Sequence, residues 1–200
     1  MLDYYVDLFK KLFEVKRKYS IANNYNIFSV LNMERDETKL HSAIIADLLN
    51  PNGRHELGSE PLILFLKNAL SKLDITMDDI DSYKVEVEYI LGKKNIEIMN
   101  PAGGRLDILL ESNNNIIAIE NKIFASDQEY QLTRYSNSLK ELFPNKKRYL
   151  IYLNPNGKLP SKISIYRNKE KTSFLQNSEE WHVISYRIEI LKWLESIEKK

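Results

Sequence analysis

The sequence predicts an α/β domain, a mixed central sheet flanked by helices with extra helices at the N-terminus. Three observations predict it. Residues 83–91 alternate Val85, Val87 and Tyr89 with Glu86 and Glu88, the two-residue period of a half-buried strand. Two apolar runs, 105–111 and 116–122, flank the turn-prone Ser112-Asn113-Asn114-Asn115, a hairpin signal. Segments before and after these strands carry apolar residues at helical spacing. The order is helices, three strands, a helix, a strand, then a late strand and a helix. Fold order alone hosts many functions.

In chain order, residues 2–19 place Leu2, Val6, Phe9 and Phe13 at helical spacing, interrupted by Asn23 to Asn26. Asp36 caps the next predicted helix, whose stripe is Leu40, Ile44, Ile45, Leu48 and Leu49, and Pro51-Asn52-Gly53 ends it. Residues 60–73 read as a helix through Leu62, Phe65, Leu66, Ala69 and Leu70. Residues 92–104 are expected to be a loop. A helix is expected over 127–142, stopped near Pro144, then a strand over 148–153 closed by Asn154 to Gly157. Short strands are expected at 162–166 and 182–186, and a terminal helix at 188–197. The whole reads as one domain, 1–200: a helical extension over 1–35, a core over 36–153 and a C-terminal strand and helix over 154–200.

Two hundred residues suffice for a substantial single core. Hydrophobic content of 43% and charged content of 28% are ordinary for a globular chain, and no apolar run is long enough to span a bilayer. No signal-peptide core opens the chain. The absence of cysteine rules out disulfides and thiolate metal sites and fits a cytoplasmic setting. Three scattered histidines argue against zinc, and no nucleotide-binding loop or nucleophile elbow occurs. Net charge is +1, so a nucleic-acid ligand must be held by a local patch. Basic candidates are Lys146-Lys147-Arg148 and the stretch with Lys158, Lys162, Arg167, Lys169 and Lys171, read either as a phosphate-contacting rim or as a solvated loop. Arg105, beside Gly103-Gly104, and His55, in a glycine-containing loop, are further phosphate candidates.

The hairpin carries the chemistry. If its turn is centred between Asn113 and Asn114, Asp107 and Glu120 face each other, and Lys122 shares the face of Glu120. Like charges directly opposite destabilise a strand pair. A divalent cation between them reverses that sign. The alternative is an exposed strand face with a Glu–Lys ion pair of little worth.

Asp107, followed after a short hairpin by Glu120-Asn121-Lys122, resembles the PD-(D/E)XK nuclease superfamily, although Leu106 stands where its name places Pro. Gln131-Leu132-Thr133-Arg134-Tyr135 is similar to the Q-x-x-x-Y element of several exonuclease-like and defence-associated branches. Glu37 to His41, Leu48 to Pro51 and His55 to Gly58 resemble one branch of uncharacterised prokaryotic members. The resemblance covers residues 36–153, and since members of that branch often run further, the chain is expected to be a short member or a fragment.

The resemblance implies a restriction-endonuclease-like αβββαβ core. It implies Mg2+ or Mn2+ held by Asp107, Glu120, the backbone carbonyl of Asn121 and an extra helical carboxylate, Glu37. It gives Lys122 the task of orienting the nucleophilic water, Gln131 a contact with substrate or a catalytic side chain, and Tyr135 a contact with phosphate. Each has a plainer alternative: Tyr135 can simply pack, and Glu37 can be a first-turn Glu favoured by the helix dipole. His41, four residues from Glu37, either orients it, meets nucleic acid or caps core packing. Glu86 or Glu88 is an alternative third acid. The expected activity is hydrolysis of phosphodiester bonds, of DNA before RNA, in prokaryotic defence or a mobile element, with no membrane partner and a homodimer allowed for. The competing readings are a nuclease-fold protein that binds nucleic acid or a partner without cleaving, and a metal-dependent phosphohydrolase for small nucleotides.

Overall fold

A computed structural model describes residues 36–97, 99–165 and 181–198. The expected helical extension over 1–35 lies outside them, as do Arg167, Lys169 and Lys171. A wide, π-type turn over Glu37–Ser42 leads into α1 (Ala43–Leu49), and α2 (Glu60–Asn68) follows. Then come β1 (Lys84–Ile90), β2 (Arg105–Glu111), β3 (Asn115–Asn121), α3 (Gln131–Leu142) and β4 (Lys147–Asn154). The chain closes with β5 (His182–Ser185), a second π-type turn (Tyr186–Ile190) and α4 (Leu191–Glu198). The sheet runs β1-β2-β3-β4-β5; β2 is antiparallel to both β1 and β3, and β3, β4 and β5 are parallel. This is the mixed, helix-flanked sheet that the sequence predicts. Among the described residues no helix is long and apolar enough to cross a membrane.

The sheet divides two apolar cores. On one side Leu49, Leu62, Phe65 and Trp193 from α1, α2 and α4 cover Ile108, Leu110, Ile117 and Ile119. The Trp193 indole donates to the Pro61 carbonyl at 2.7 Å and meets Phe65 edge-on, which fixes α4 against α2. On the other side Leu132, Tyr135 and Leu139 of α3 cover Leu109, Ile116, Ala118 and Leu150. Every residue of β3 is buried, as a central strand covered on both faces requires.

Two expectations are corrected. Among the described residues of the strand expected over 162–166, Lys162–Ser164 form a 3-10 turn instead, whose Ser164 hydroxyl lies 3.4 Å from the Leu132 N–H. The alternation of β1 does not hold to its end. Val85 packs into the first core and Tyr89 against the second, because Glu88 adopts φ +55° and flips the strand. Glu88 and the residue facing it, Asp107, are missing from an otherwise continuous ladder.

Candidate metal and catalytic site

The hairpin register is the one its turn residues predict. Ser112 accepts from and donates to Asn115 across the turn, and Ile108 faces Ile119. One step further, where the ladder opens, Asp107 and Glu120 come opposite, and Asp107 Oδ2 accepts from the Asn121 N–H at 2.7 Å. Glu120 shares the face of Ile116 and Ala118 and points toward α3; Asn121 shares that of Ile117 and Ile119 and points the other way.

Glu120 is almost wholly buried. Its Oε1 accepts from Lys122 Nζ at 2.8 Å and from Gln131 Nε2 at 2.6 Å. Its Oε2 is buried and has no hydrogen-bond partner. Burial first, and the Asp107 charge second, push its carboxyl up to about 8, outweighing the Lys122 ammonium. An acid so placed holds a proton or a cation. The residues therefore fit a divalent metal: a buried, unpartnered carboxylate oxygen with a second carboxylate near enough to act on it, both hard oxygen ligands. Among the described residues no three His, Cys, Asp or Glu side chains converge on one point. Glu88, which stands opposite Asp107 on β1, pairs with Arg105 at 3.1 Å. Glu37 lies on the π-type turn ahead of α1.

Helix α3 brings Gln131 and Tyr135 to the site. Gln131 Oε1 accepts from the Gln128 N–H at 3.1 Å, and its Nε2 also reaches the Tyr135 hydroxyl at 3.1 Å. That hydroxyl donates to the Arg105 carbonyl at 2.6 Å, so both residues of the helix face are tied to the strands bearing the acids. Burial and the nearby Glu120 charge raise the Tyr135 phenol well above its ordinary range, so it stays a donor.

The other candidates lie around this centre or away from it. His41 meets the Tyr186 ring edge-on at 6.3 Å between centroids. His55 takes the Leu57 N–H on Nδ1 and reaches the Asn50 carbonyl with Nε2, so it orders its own loop. Lys158 and Lys162 are exposed on the segment after β4, whose chain is tied to the loop after β3 by Ser161 N–H to Asp127 Oδ2 at 2.6 Å. The basic run Lys146 to Arg148 leads into β4. It lies at the far end of the sheet, about 16 Å from Glu120 for five residues of strand at 3.3 Å each. Its charges are already engaged, Lys146 with Glu111, Lys147 with Asp74, and Arg148 with the Phe143 carbonyl that ends α3.

Arg134 is a site neighbour that sequence patterns do not single out. It is fully buried, and its guanidinium donates to the carbonyls of Gly103 at 2.6 Å and Glu129 at 3.1 Å. It clamps α3 to the chain entering β2. Gly104 permits this: its φ is +126°, and a Cβ there would lie 2.5 Å from Arg134 Nη1 and 2.8 Å from Tyr135 Cε1. Gly104→Ala is accordingly expected to destabilise the protein by roughly 2–5 kcal/mol, from backbone strain and overpacking together. Urea midpoints of the two proteins check this, and equal midpoints would contradict it.

A sequence profile of the PD-(D/E)XK nuclease superfamily matches residues 25–200. A crystal structure of a protein of unknown function, AF1548, aligns with 70% of this chain and 67% of its own, at 12% identity and a TM-score of 0.33. No curated protein matches the chain.

Proposed function

Because the chain belongs to the PD-(D/E)XK nuclease superfamily, we propose that it is a divalent-metal-dependent nuclease that hydrolyses phosphodiester bonds of DNA. The observation that carries this reading is the Glu120 carboxylate, with one oxygen held by Lys122 and Gln131, the other buried and unpartnered, and the Asp107 charge close enough to raise its pKa. A protein that only binds gains nothing from opposed carboxylates at that position.

Asp107, Glu120 Oε2, the Asn121 carbonyl and Glu37 would hold Mg2+ or Mn2+. That cation supplies Lewis acidity and counter-charge for the attacked phosphate. The Lys122 ammonium donates to the attacking water and offsets negative charge as it forms. Gln131 keeps Glu120 Oε1 occupied and so leaves Oε2 for the cation. Tyr135 acts through Gln131 and the Arg105 carbonyl, holding α3 in place, and not on phosphate directly. A role in prokaryotic defence or a mobile element is supported by the branch that Gln131 to Tyr135 resembles.

Substrate is gripped at the rim, by Arg105, Lys158 and Lys162, since the chain as a whole is near neutral. Each neutralised phosphate steepens the salt dependence of binding by roughly 0.7–0.9 log units. Reversing Lys158 and Lys162 to Glu should weaken DNA binding and flatten that slope while Mn2+ affinity stays unchanged. Unaltered affinity and slope in fluorescence anisotropy would make this segment a solvated loop. The metal half of the reading is tested by titration calorimetry. Mn2+ should bind the wild type and lose most of its heat on Asp107→Ala, whereas a non-cleaving binder shows no heat in either.

A further inference from the structure

Asn121 sits between the two site residues Glu120 and Lys122, yet its side chain leaves on the opposite face of the sheet. There it follows Ile117 and Ile119 into an apolar core and is itself buried. A buried amide in that position costs stability unless paired. Its pairing reaches across the fold. Nδ2 donates to Ser42 Oγ at 3.1 Å, and Oδ1 accepts from the Tyr186 hydroxyl at 3.1 Å. Ser42 ends the turn that begins at Glu37, and Tyr186 opens the turn that leads into α4. His41, next to Ser42, closes the ring by meeting Tyr186 edge-on. On its main chain the same residue, Asn121, donates to Asp107 Oδ2. An aliphatic residue would satisfy the packing alone, so the amide has a further task.

Resting on the nuclease reading, we propose that the Asn121 side chain is a positioning residue: it registers the Glu37–Ser42 turn and the start of the C-terminal helix against the strand end that presents Asp107, Glu120 and Lys122. Asn121 and Ser42 are buried and Tyr186 is partly so, and a half-paired buried amide is worse than none, which favours the arrangement in which both arms are made. Partners behind metal ligands typically set metal affinity by roughly 10–100-fold.

The test uses the full chain, with Mn2+ as the probe and circular dichroism to establish folding. Asn121→Leu keeps the apolar packing and is expected to raise the Mn2+ dissociation constant on the order of 10–100-fold. Tyr186→Phe and Ser42→Ala each remove one arm and are expected to give a smaller rise in the same direction. The rise in the Asn121→Leu, Ser42→Ala double variant should fall short of the product of the two single effects, because both act on one bond. A merely structural amide would lower melting temperature and leave Mn2+ affinity alone in folded protein. Should Asn121→Leu fail to fold, the two single-arm variants decide, since each deletes only a few atoms. Mn2+ dissociation constants within twofold of wild type in every folded variant overturn the proposal. Asp107→Ala separates the two failures: if it also binds Mn2+ as wild type does, the metal reading itself has failed, and if it loses binding, only the positioning role has.

Discussion

Glu120→Gln is expected to reduce cleavage on the order of a thousandfold or more while leaving a folded protein. The substitution keeps the shape of the side chain and an oxygen for Lys122 and Gln131 to reach. What changes is the Oε2 position, where an N–H2 replaces the unpartnered carboxylate oxygen. A cation finds a donor there instead of a ligand, so Mn2+ affinity should fall along with the rate. Asp107→Ala should lose rate and Mn2+ affinity alike, and relief of repulsion with Glu120 adds to its apo stability only above about pH 8, where Glu120 is ionised. Initial rates at saturating Mg2+ and thermal melting in chelator read both halves. Undiminished cleavage by either variant would sink the site assignment.

The second large effect is a dependence of metal-free stability on pH. The Glu120 carboxyl is raised from 4.5 to about 8, by burial and by Asp107. Between those values the folded state keeps a proton that the unfolded state releases, so stability must fall as pH rises through this window and level off above it. Every tenfold difference in proton affinity between the two states is worth about 1.4 kcal/mol, which makes the full effect several kcal/mol. His182 works in the opposite sense, because burial lowers its imidazole and stability gained from it rises with pH. Tyr83, pushed up to about 12 by burial, titrates above the window. The difference between wild type and Glu120→Gln therefore isolates Glu120. In chelator, urea midpoints at about pH 4, 6.5 and 8.5, which bracket the window, should decline for wild type relative to Glu120→Gln. At the highest of these pH values Mn2+ should restore wild type alone, since the cation takes the place of the proton. Parallel curves for the two proteins would mean that Glu120 is ionised throughout and that the pocket does not strain it.

The parts of this site that are legible in the sequence are those set by local rules. Ser112 to Asn115 announce a turn, and the two-residue period of the strands then brings Asp107 opposite Glu120 without further information. The four-residue spacing of Gln131 and Tyr135 puts both on one helix face, and the packing of α3 turns that face to Glu120. What the sequence hides depends on long-range closure. The ties of Asn121 run to Ser42 and Tyr186, 79 and 65 residues away, and no periodicity encodes such a pairing. Arg134 reads as filler inside Q-x-x-x-Y, although Gly103-Gly104 ahead of a strand already hints that something approaches the backbone closely. The flip at Glu88 is invisible because a non-glycine residue with positive φ has no sequence signature of its own. The partners of Lys146 to Arg148, here Glu111, Asp74 and the end of α3, are hidden too, because charge runs carry no indication of what they pair with.

The most direct test of the central claim is incubation of the wild-type protein and Glu120→Gln with circular single- and double-stranded DNA and RNA, with Mg2+ or Mn2+ and with chelator. Wild type is expected to nick or degrade DNA only when the cation is present, and chelator and Glu120→Gln are each expected to abolish it. Cleavage that persists in chelator, cleavage equal in Glu120→Gln, or no cleavage of any nucleic acid by a wild type that binds it would contradict a metal-dependent nuclease centred on Glu120.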